Sequence, residues 1–207
     1  VISSEGISMD PAKVKTVVEW QNPRSLCDVQ CFLGSTNFYH KFIQVYSKLI
    51  LPLTQLTEKG KSFVWSKEEG MTFVRIKKEF TSTPILAHVD LKKLFIMEAD
   101  TSDFALGSIL SEQGDDEKLH PVAFHSRKFD VAEINDEIHV KELLAIIVDS
   151  FTQWRHFLEG YFHQINVFND HKNLAYFQNS CVLNRRQARW AQFLTRFDFK
   201  IIYRLGK

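Results

Sequence analysis

The sequence is poor in cysteine and has no long apolar run. Its 207 residues include 3 cysteines, Cys27, Cys31 and Cys181, an odd number without histidines at zinc-site spacing. We therefore expect reduced thiols in an intracellular protein, with Cys27 and Cys31 forming a buried pair on one helix face. No apolar stretch reaches the roughly 18 residues that span a bilayer, and the N-terminus lacks a signal-peptide pattern. Membrane and secreted proteins are therefore not expected.

Net charge and composition narrow the class of protein further. A formal net charge of only +1 gives no global sign of a nucleic-acid partner, so any such binding must be local. With 44% hydrophobic residues, the chain can bury one ordinary core and has room for a second small lobe. The sequence begins at Val1 and stops directly after a strand-like run, so we expect a fragment of a longer protein.

Helix start and stop signals dominate the N-terminal region. Asp10, which a proline follows, predicts the start of a first helix, and Ser25 predicts the start of a second. Pro52 predicts that a third helix is short or kinked. Ser66 and Glu69 form a capping-box pattern ahead of a fourth helix. This region is therefore predicted to be mostly α-helical.

From Leu94 onward the pattern changes to strands. Three apolar runs are joined by polar turns, LFIMEAD, ALGSILS and PVAFHSRKF. Their tight connections favour an antiparallel meander. A long helix is predicted from about Asp136 to Leu158, and it is followed by a strand, two helices and a last strand, QINVFND, HKNLAYFQ, NRRQARWAQFLTRF and FKIIYR. The order βββαβααβ predicts an α/β layer with helices packed on a mixed sheet, and the boundary falls between Phe80 and Leu91.

Three acidic residues occupy positions that this topology can bring together. Asp100 ends the first strand of the α/β region, Glu142 lies on the long helix, and Asp170 ends the fourth strand. Carboxylates at strand ends and on a neighbouring helix can converge on one edge of the sheet, where α/β folds tend to place their sites. Without a nearby Cys or His cluster they suit Mg²⁺ or Mn²⁺. Two such ions about 3.5 to 4 Å apart would activate a water and stabilise the leaving oxygen of a phosphodiester, as in a nuclease.

Each of these acids also has an ordinary structural explanation. Glu142 lies on the polar side of its helix, which solvent exposure explains. Asp100 can be a turn residue and Asp170 can cap the helix that follows it. Considered one at a time, each acid is better explained by its structural position than by metal binding. Pattern and spacing alone therefore predict a soluble α/β domain and leave its metal dependence open.

Basic residues lie beside aromatic and polar groups in two places, which makes them candidate nucleic-acid contacts. Arg127 and Lys128 follow the third strand of the α/β region. The second cluster is on the penultimate helix and consists of Arg185, Arg186 and Arg189 with Trp190. Such clusters bind phosphates and stack on sugars or bases, but surface charge for solubility explains them equally well. Lys41 is a weaker candidate, because most aromatic residues of its helix should be core.

The order of several sequence blocks resembles one known family. Blocks in the same order and spacing occur in the Pol polyproteins of gypsy-type long-terminal-repeat retrotransposons, especially the chromovirus and sushi-type branch: GISMDPAKVKTVVEW, FLGSTNFYHKFI, PLTQLTEKG, FVWSKEE, PILAHVD, MEADTSDFALGSILSE, HPVAFHSRKF, KELLAI, WRHFLEG, NDHKNL and NRRQARWAQFLTRFDFKIIYR. The similarity covers essentially the whole chain. It implies a reverse transcriptase thumb with connecting helices in residues 1–85. Residues 86–207 would then form a ribonuclease H domain that is truncated before its last helix, an α/β mixed sheet flanked by helices.

The resemblance also implies an activity and its residues. Ribonucleases H of this family cut the RNA strand of RNA–DNA hybrids with four carboxylates around two Mg²⁺ ions, for which Mn²⁺ can substitute. Asp100 matches the first, although its block reads A-D-T-S instead of T-D-A-S. Glu142 matches the second in K-E-L-L-A, and Asp170 matches the third, with Asn169 in place of the usual Thr. The fourth belongs to an A-D-A-L-S-R block that follows the family's Y-R-P-G-K motif. That motif reads Y-R-L-G-K here and ends the sequence, so the fourth carboxylate is not among these residues. Weak metal binding and poor cleavage are therefore expected of this chain by itself.

Partners and location are implied in the same way. The expected partners are an RNA–DNA hybrid and the rest of the Pol polyprotein, namely palm, fingers and integrase, with no membrane. The expected location is intracellular, in cytoplasmic particles and the nucleus. The palm aspartates of the Y-x-D-D pattern are absent from this sequence, so it is not expected to synthesise DNA, and His40 replaces the family's common Arg. The alternative function is a non-catalytic nucleic-acid-binding remnant of a retrotransposon polymerase.

Overall fold

The computed structural model describes residues 1–102, 105–130, 149–170 and 185–204, without the side chains of residues 101, 186 and 187. The N-terminal region consists of β1 (Ile2–Ser3), β2 (Gly6–Ile7), α1 (Pro11–Val18), α2 (Leu26–Asn37), a 3₁₀ turn (His40–Phe42), α3 (Tyr46–Leu49), α4 (Leu51–Gln55) and α5 (Lys67–Thr81). The C-terminal region consists of β3 (Phe95–Thr101), β4 (Ala105–Gln113), β5 (Leu119–Lys128), α6 (Arg155–Leu158), β6 (Ile165–Asn169), α7 (Arg185–Leu194) and β7 (Phe199–Tyr203). Within these ranges, no helix is both long and apolar enough to cross a bilayer.

The predicted helix caps are present. The Asp10 carboxylate accepts a hydrogen bond of 2.9 Å from the amide of Ala12, and Ser66 forms a reciprocal capping box with Glu69. The predicted break near Pro52 is confirmed, because α3 and α4 are separate short helices. The second helix was predicted over LCDVQCFLGSTNFYHKFI, which ends at Ile43, and this was too long, since α2 stops at Asn37 and a 3₁₀ turn follows it.

A small hairpin in the N-terminal region was not predicted from the sequence. Strands β1 and β2 pair antiparallel, and Ile7 exchanges backbone hydrogen bonds of 2.8 and 2.9 Å with Leu86. Gly6 allows this approach, because it has a φ of +142° and a Cβ there would lie 2.2 Å from the Leu86 carbonyl oxygen. The hairpin thereby ties the start of the chain to the segment that enters the α/β region.

The C-terminal region forms one mixed sheet of 5 strands in the order β5-β4-β3-β6-β7. Strands β3, β4 and β5 pair antiparallel, which confirms the predicted meander. Strands β3, β6 and β7 pair parallel, so the carboxyl ends of these three strands lie at one edge of the sheet. The predicted α/β fold with a mixed sheet is therefore confirmed.

One face of this sheet carries the C-terminal core. Phe95, Met97 and Leu110 of the strands are fully buried there with Phe151, and Trp154 is 3% exposed. The end of the predicted long helix is present as helical residues 149–153 followed by α6. Its first part, residues 136–148, and the predicted helix HKNLAYFQ lie outside the described residues.

The helices of the N-terminal region pack against the other face of the sheet. Phe124 of β5 is 8% exposed and belongs to the core of the helices, and Ile109 of β4 packs against that core. The backbone amide of Ser47 donates a hydrogen bond of 3.0 Å to the Ser126 hydroxyl. Strands β4 and β5 are therefore covered on both faces.

The prediction of a buried thiol pair on α2 was wrong. Cys27 and Cys31 are free and both are exposed. The buried face of α2 is instead formed by Val29, Phe32 and Leu33 with Thr36. The thiols are nevertheless close enough for Cys27 to raise the pKa of Cys31, since two neighbouring thiolates would repel each other.

Candidate active site

Asp100 and Asp170 lie at the same edge of the sheet. In the parallel pairing of β3 with β6, Glu98 is opposite Phe168. Two residues further along each strand direction are Asp100, the last residue but one of β3, and Asp170, directly after β6. Both side chains are exposed. The pairing register therefore brings together the two predicted strand-end acids.

Both acids line a cleft on the face of the sheet opposite the C-terminal core. On β3, Glu98 and Asp100 alternate with the buried residues Met97 and Ala99, so the two carboxylates share the other face. The cleft has a volume of about 490 Å³. Its lining consists of Gln44, Val45, Glu98, Ala99, Asp100, Gly107, Ser108, Ile109, Phe168, Asn169, Asp170 and Arg204.

Asn169 fixes the strand ends that carry the acids. Its side chain is 3% exposed and its amide donates a hydrogen bond of 3.1 Å to the Ala99 carbonyl, which crosses from β6 to β3. The Asn169 carbonyl accepts a hydrogen bond of 2.9 Å from the Arg204 amide after β7. A single buried residue thus links three strands immediately beside Asp100 and Asp170.

Arg204 is a cleft residue that the sequence did not single out. Its guanidinium Nη1 lies 2.9 Å from Glu98 Oε1, and its Cζ lies 5.5 Å from the centre of the Phe168 ring. The strand FKIIYR was predicted, and the available signal was a basic residue at its end, within the Y-R-L-G-K motif. That signal has no meaning without the pairing of β7 with β6.

The N-terminal region supplies one wall of the cleft. Gln44 and Val45 line it, and Val45 has a φ of 51°, an unusual value for a β-branched residue. A Cβ on Gly107 would lie 3.5 Å from Val45 Cγ2, so the valine is packed directly on β4 opposite Asp100. The cleft is therefore formed jointly by the sheet and the helical region.

The third predicted acid, Glu142, lies outside the described residues. In the described ranges, no group of three or more His, Cys, Asp or Glu side chains is placed to hold a metal ion. Asp100 and Asp170 nevertheless offer hard carboxylate oxygens in one solvent-accessible cleft, which is the donor chemistry that Mg²⁺ and Mn²⁺ prefer.

Arg127 and Lys128 have partners within the chain. Arg127 Nε donates a hydrogen bond of 2.8 Å to Asp149 Oδ1, and its Nη1 donates one of 3.0 Å to the Lys128 carbonyl. Lys128 Nζ donates to the Thr54 hydroxyl, and burial lowers the pKa of this lysine. These contacts give both residues a structural role whether or not they also bind nucleic acid.

The other predicted basic contacts are more exposed. Arg185 and Arg189 are exposed on α7, whereas the side chain of Arg186 lies outside the described residues. Trp190 is 9% exposed and belongs to the C-terminal core, so its ring packs inside the protein and is not presented to a sugar or base. Lys41 is exposed, with its Nζ 5.5 Å from the centre of the Phe42 ring.

The mixed sheet with acids at adjacent carboxyl ends defines a ribonuclease H-like α/β protein. The family described as "RNase H-like domain found in reverse transcriptase" matches residues 90–197, and the chain belongs to this family. The chain is also similar to two polyproteins of Schizosaccharomyces pombe, "Transposon Tf2-3 polyprotein" and "Transposon Tf2-4 polyprotein". Each is 37% identical over 207 residues, which is 99% of this chain and 16% of the relative. The resemblance to retrotransposon reverse transcriptases is therefore confirmed.

Solved structures share the whole arrangement. The foamy viral protease-reverse transcriptase dRH in complex with double-stranded DNA superposes with a TM-score of 0.77 and 18% identity, over 100% of this chain and 37% of its own. The foamy viral protease-reverse transcriptase in complex with an RNA/DNA hybrid superposes with a TM-score of 0.75 and 19% identity, over 100% of this chain and 28% of its own. At this level of identity the likeness concerns the fold alone, and it includes the helical region as well as the sheet.

Proposed function

We propose that this chain is the nuclease part of a retrotransposon reverse transcriptase and that it hydrolyses the RNA strand of RNA–DNA hybrids with divalent metal ions. The observation that carries the proposal is the register that places Asp100 and Asp170 side by side in one exposed cleft. Family membership over residues 90–197 supports the same reaction. The relatives are polyproteins of which this chain spans 16% of the length, so the activity of the whole polyprotein is also part of the proposal.

Asp100, Asp170 and Glu142 would hold Mg²⁺ in this proposal, and Mn²⁺ could replace it. The bound ions would supply an activated water and stabilise the leaving oxygen of the phosphodiester. The described donor set fits this role, because both aspartates present hard oxygen ligands to solvent.

The chain's own residues orient the acids and the substrate. Asn169 bonds β6 to β3 and so limits the movement of the neighbouring Asp170 relative to Asp100. The Gln44–Val45 wall closes one side of the cleft, which restricts the direction from which a duplex can enter. Arg185, Arg186, Arg189, Arg127, Lys128 and Lys41 remain the proposed contacts to the hybrid backbone.

We further propose the context of a Pol polyprotein, with palm, fingers and integrase as covalent partners. A boundary between residues 85 and 86 would separate the thumb and connecting helices from the ribonuclease H domain. The match to the family from residue 90 supports this division. Cytoplasmic particles and the nucleus are the proposed locations, by analogy with retrotransposon life cycles.

The test is cleavage of a hybrid with a labelled RNA strand. The protein is the full parental chain that carries these 207 residues. We expect cutting in Mg²⁺ and in Mn²⁺. Replacing Asp170 by Asn should slow it by about 100-fold or more, equivalent to about 2.7 kcal/mol of transition-state stabilisation.

The matched control is Asp198→Asn. Asp198 precedes β7 at the opposite edge of the sheet, where its carboxylate accepts a hydrogen bond of 2.9 Å from Gln164. This variant should cut like the parent, and all three proteins should leave double-stranded DNA intact. If the folded protein binds the hybrid without cutting it, the proposed nuclease function is refuted, and the alternative of a non-catalytic nucleic-acid-binding remnant is supported.

A further inference from the structure

Arg204 occupies an unusual electrostatic position. Of the described residues that line the cleft, it is the only cation, and it shares the cleft with Glu98, Asp100 and Asp170. Three carboxylates repel a phosphate, so a nucleic-acid strand that enters this cleft needs local positive charge. Arg204 is the described residue that can supply it.

The guanidinium is held in place but remains accessible. Glu98 binds Nη1, the Phe168 ring lies below the group, and the backbone of Arg204 is bonded to Asn169. The Arg204 side chain is nevertheless 47% exposed. A guanidinium has five N–H donors, and the contact with Glu98 engages one of its three nitrogens. The remaining donors form the planar fork that matches two phosphate oxygens.

We propose that Arg204 binds a backbone phosphate of the strand that lies across Asp100 and Asp170. This inference rests on the proposed function, because it assumes that the occupant of the cleft is an RNA–DNA hybrid. Glu98 fixes the guanidinium at the edge of the cleft before the strand arrives, and the phosphate takes the free side of the fork. Arg204 therefore sets the position of the strand relative to the two acids.

The experiment measures binding, so that it does not depend on catalysis. Arg204→Gln is introduced into an Asp170→Asn background of the full chain, and affinity for a short RNA–DNA hybrid is measured in Mg²⁺ as a function of salt. We expect affinity to fall about tenfold, and the slope of log K against log salt to decrease by about 1, the signature of one lost phosphate contact.

Two further variants distinguish phosphate binding from a structural role. Glu98→Gln removes the charge of the same ion pair but keeps the guanidinium, so the phosphate contact remains and the salt slope should stay at the parental value, in contrast to Arg204→Gln. Arg196→Gln is the matched control, because Arg196 is 49% exposed, lies 4.0 Å from Glu159 and has its Cζ 5.9 Å from the Phe193 ring, away from the cleft. It should bind like the parent.

The outcomes separate this inference from the proposed function. Equal losses in Arg204→Gln and Glu98→Gln, with equal falls in melting temperature, would mean that the ion pair only stabilises the fold and would overturn the inference. An unchanged salt slope in Arg204→Gln would also overturn it. If the parent protein binds hybrid but never cuts it, the nuclease proposal fails while the Arg204 contact can still be measured.

Discussion

Arg127 illustrates, at the scale of single residues, how a predicted nucleic-acid contact can be engaged within the fold. Its partner Asp149 is 8% exposed, and His125 Nε2 lies 3.4 Å from the same carboxylate oxygen. A buried carboxylate that loses its cationic partner is strongly destabilised, because the charge remains out of water. Loss of hybrid binding in an Arg127 variant would therefore be ambiguous until its folding is measured.

We expect Arg127→Gln to lower the free energy of unfolding by about 3 kcal/mol, as measured by urea denaturation. Arg189→Gln is the matched comparison, since Arg189 is exposed on α7. It should change stability by less than about 0.5 kcal/mol. Equal stability of the two variants would show that the Arg127–Asp149 ion pair contributes little.

Sequence reasoning at this scale singled out Asp100 and Asp170 as candidates because each ends an apolar strand, which is a local pattern. It missed Arg204 and the bridging amide of Asn169, because their roles arise from which strands are neighbours. Strand order depends on pairing between distant segments, and a single sequence has no local signal for it.

At the scale of elements, α2 and α3 are joined by a buried hydrogen bond. The hydroxyls of Thr36 and Tyr46 lie 2.7 Å apart, and Tyr46 is 1% exposed. Burial disfavours the phenolate and raises the pKa of Tyr46 from its ordinary 10.0 to about 12. The folded protein therefore retains this proton at pH values where the unfolded chain releases it.

This difference predicts a loss of stability in alkali. The free energy of unfolding should therefore fall as the pH rises from 10 to about 12. Tyr46 should account for at most about 1.4 kcal/mol of this fall per pH unit. Tyr46→Phe should lose about 1 kcal/mol at neutral pH through the missing hydrogen bond, but should show a shallower decline above pH 10. Parallel curves for the two proteins in urea denaturation would contradict the raised pKa.

The elements that sequence reasoning predicted well are those with local signals. Caps at Asp10 and Ser66 and the break near Pro52 depend on residues within one helical turn. The β1–β2 hairpin was missed because two-residue strands show no alternation, and its support comes from Leu86, far along the chain. Exposure of Cys27 and Cys31 was likewise decided by which face of α2 met the other helices.

At the scale of the whole molecule, the helical region packs against the ribonuclease H-like sheet and is structurally part of the same unit. It covers β4 and β5 through Phe124 and the bond from Ser47 to Ser126, across 79 residues of sequence. It also places Val45 in the cleft beside Asp100. The order of the two regions was predictable from the sequence, but their contact was not, because packing between regions leaves no periodic pattern.

We propose that Asp100 and Asp170 together hold a divalent metal ion, and anomalous diffraction from crystals soaked in Mn²⁺ tests this proposal. We predict an anomalous peak bonded to both carboxylates, and its loss in Asp170→Asn but not in Asp198→Asn. A cleft without a Mn²⁺ peak, in crystals that bind the ion elsewhere on the protein, would show that the two aspartates do not form a metal site.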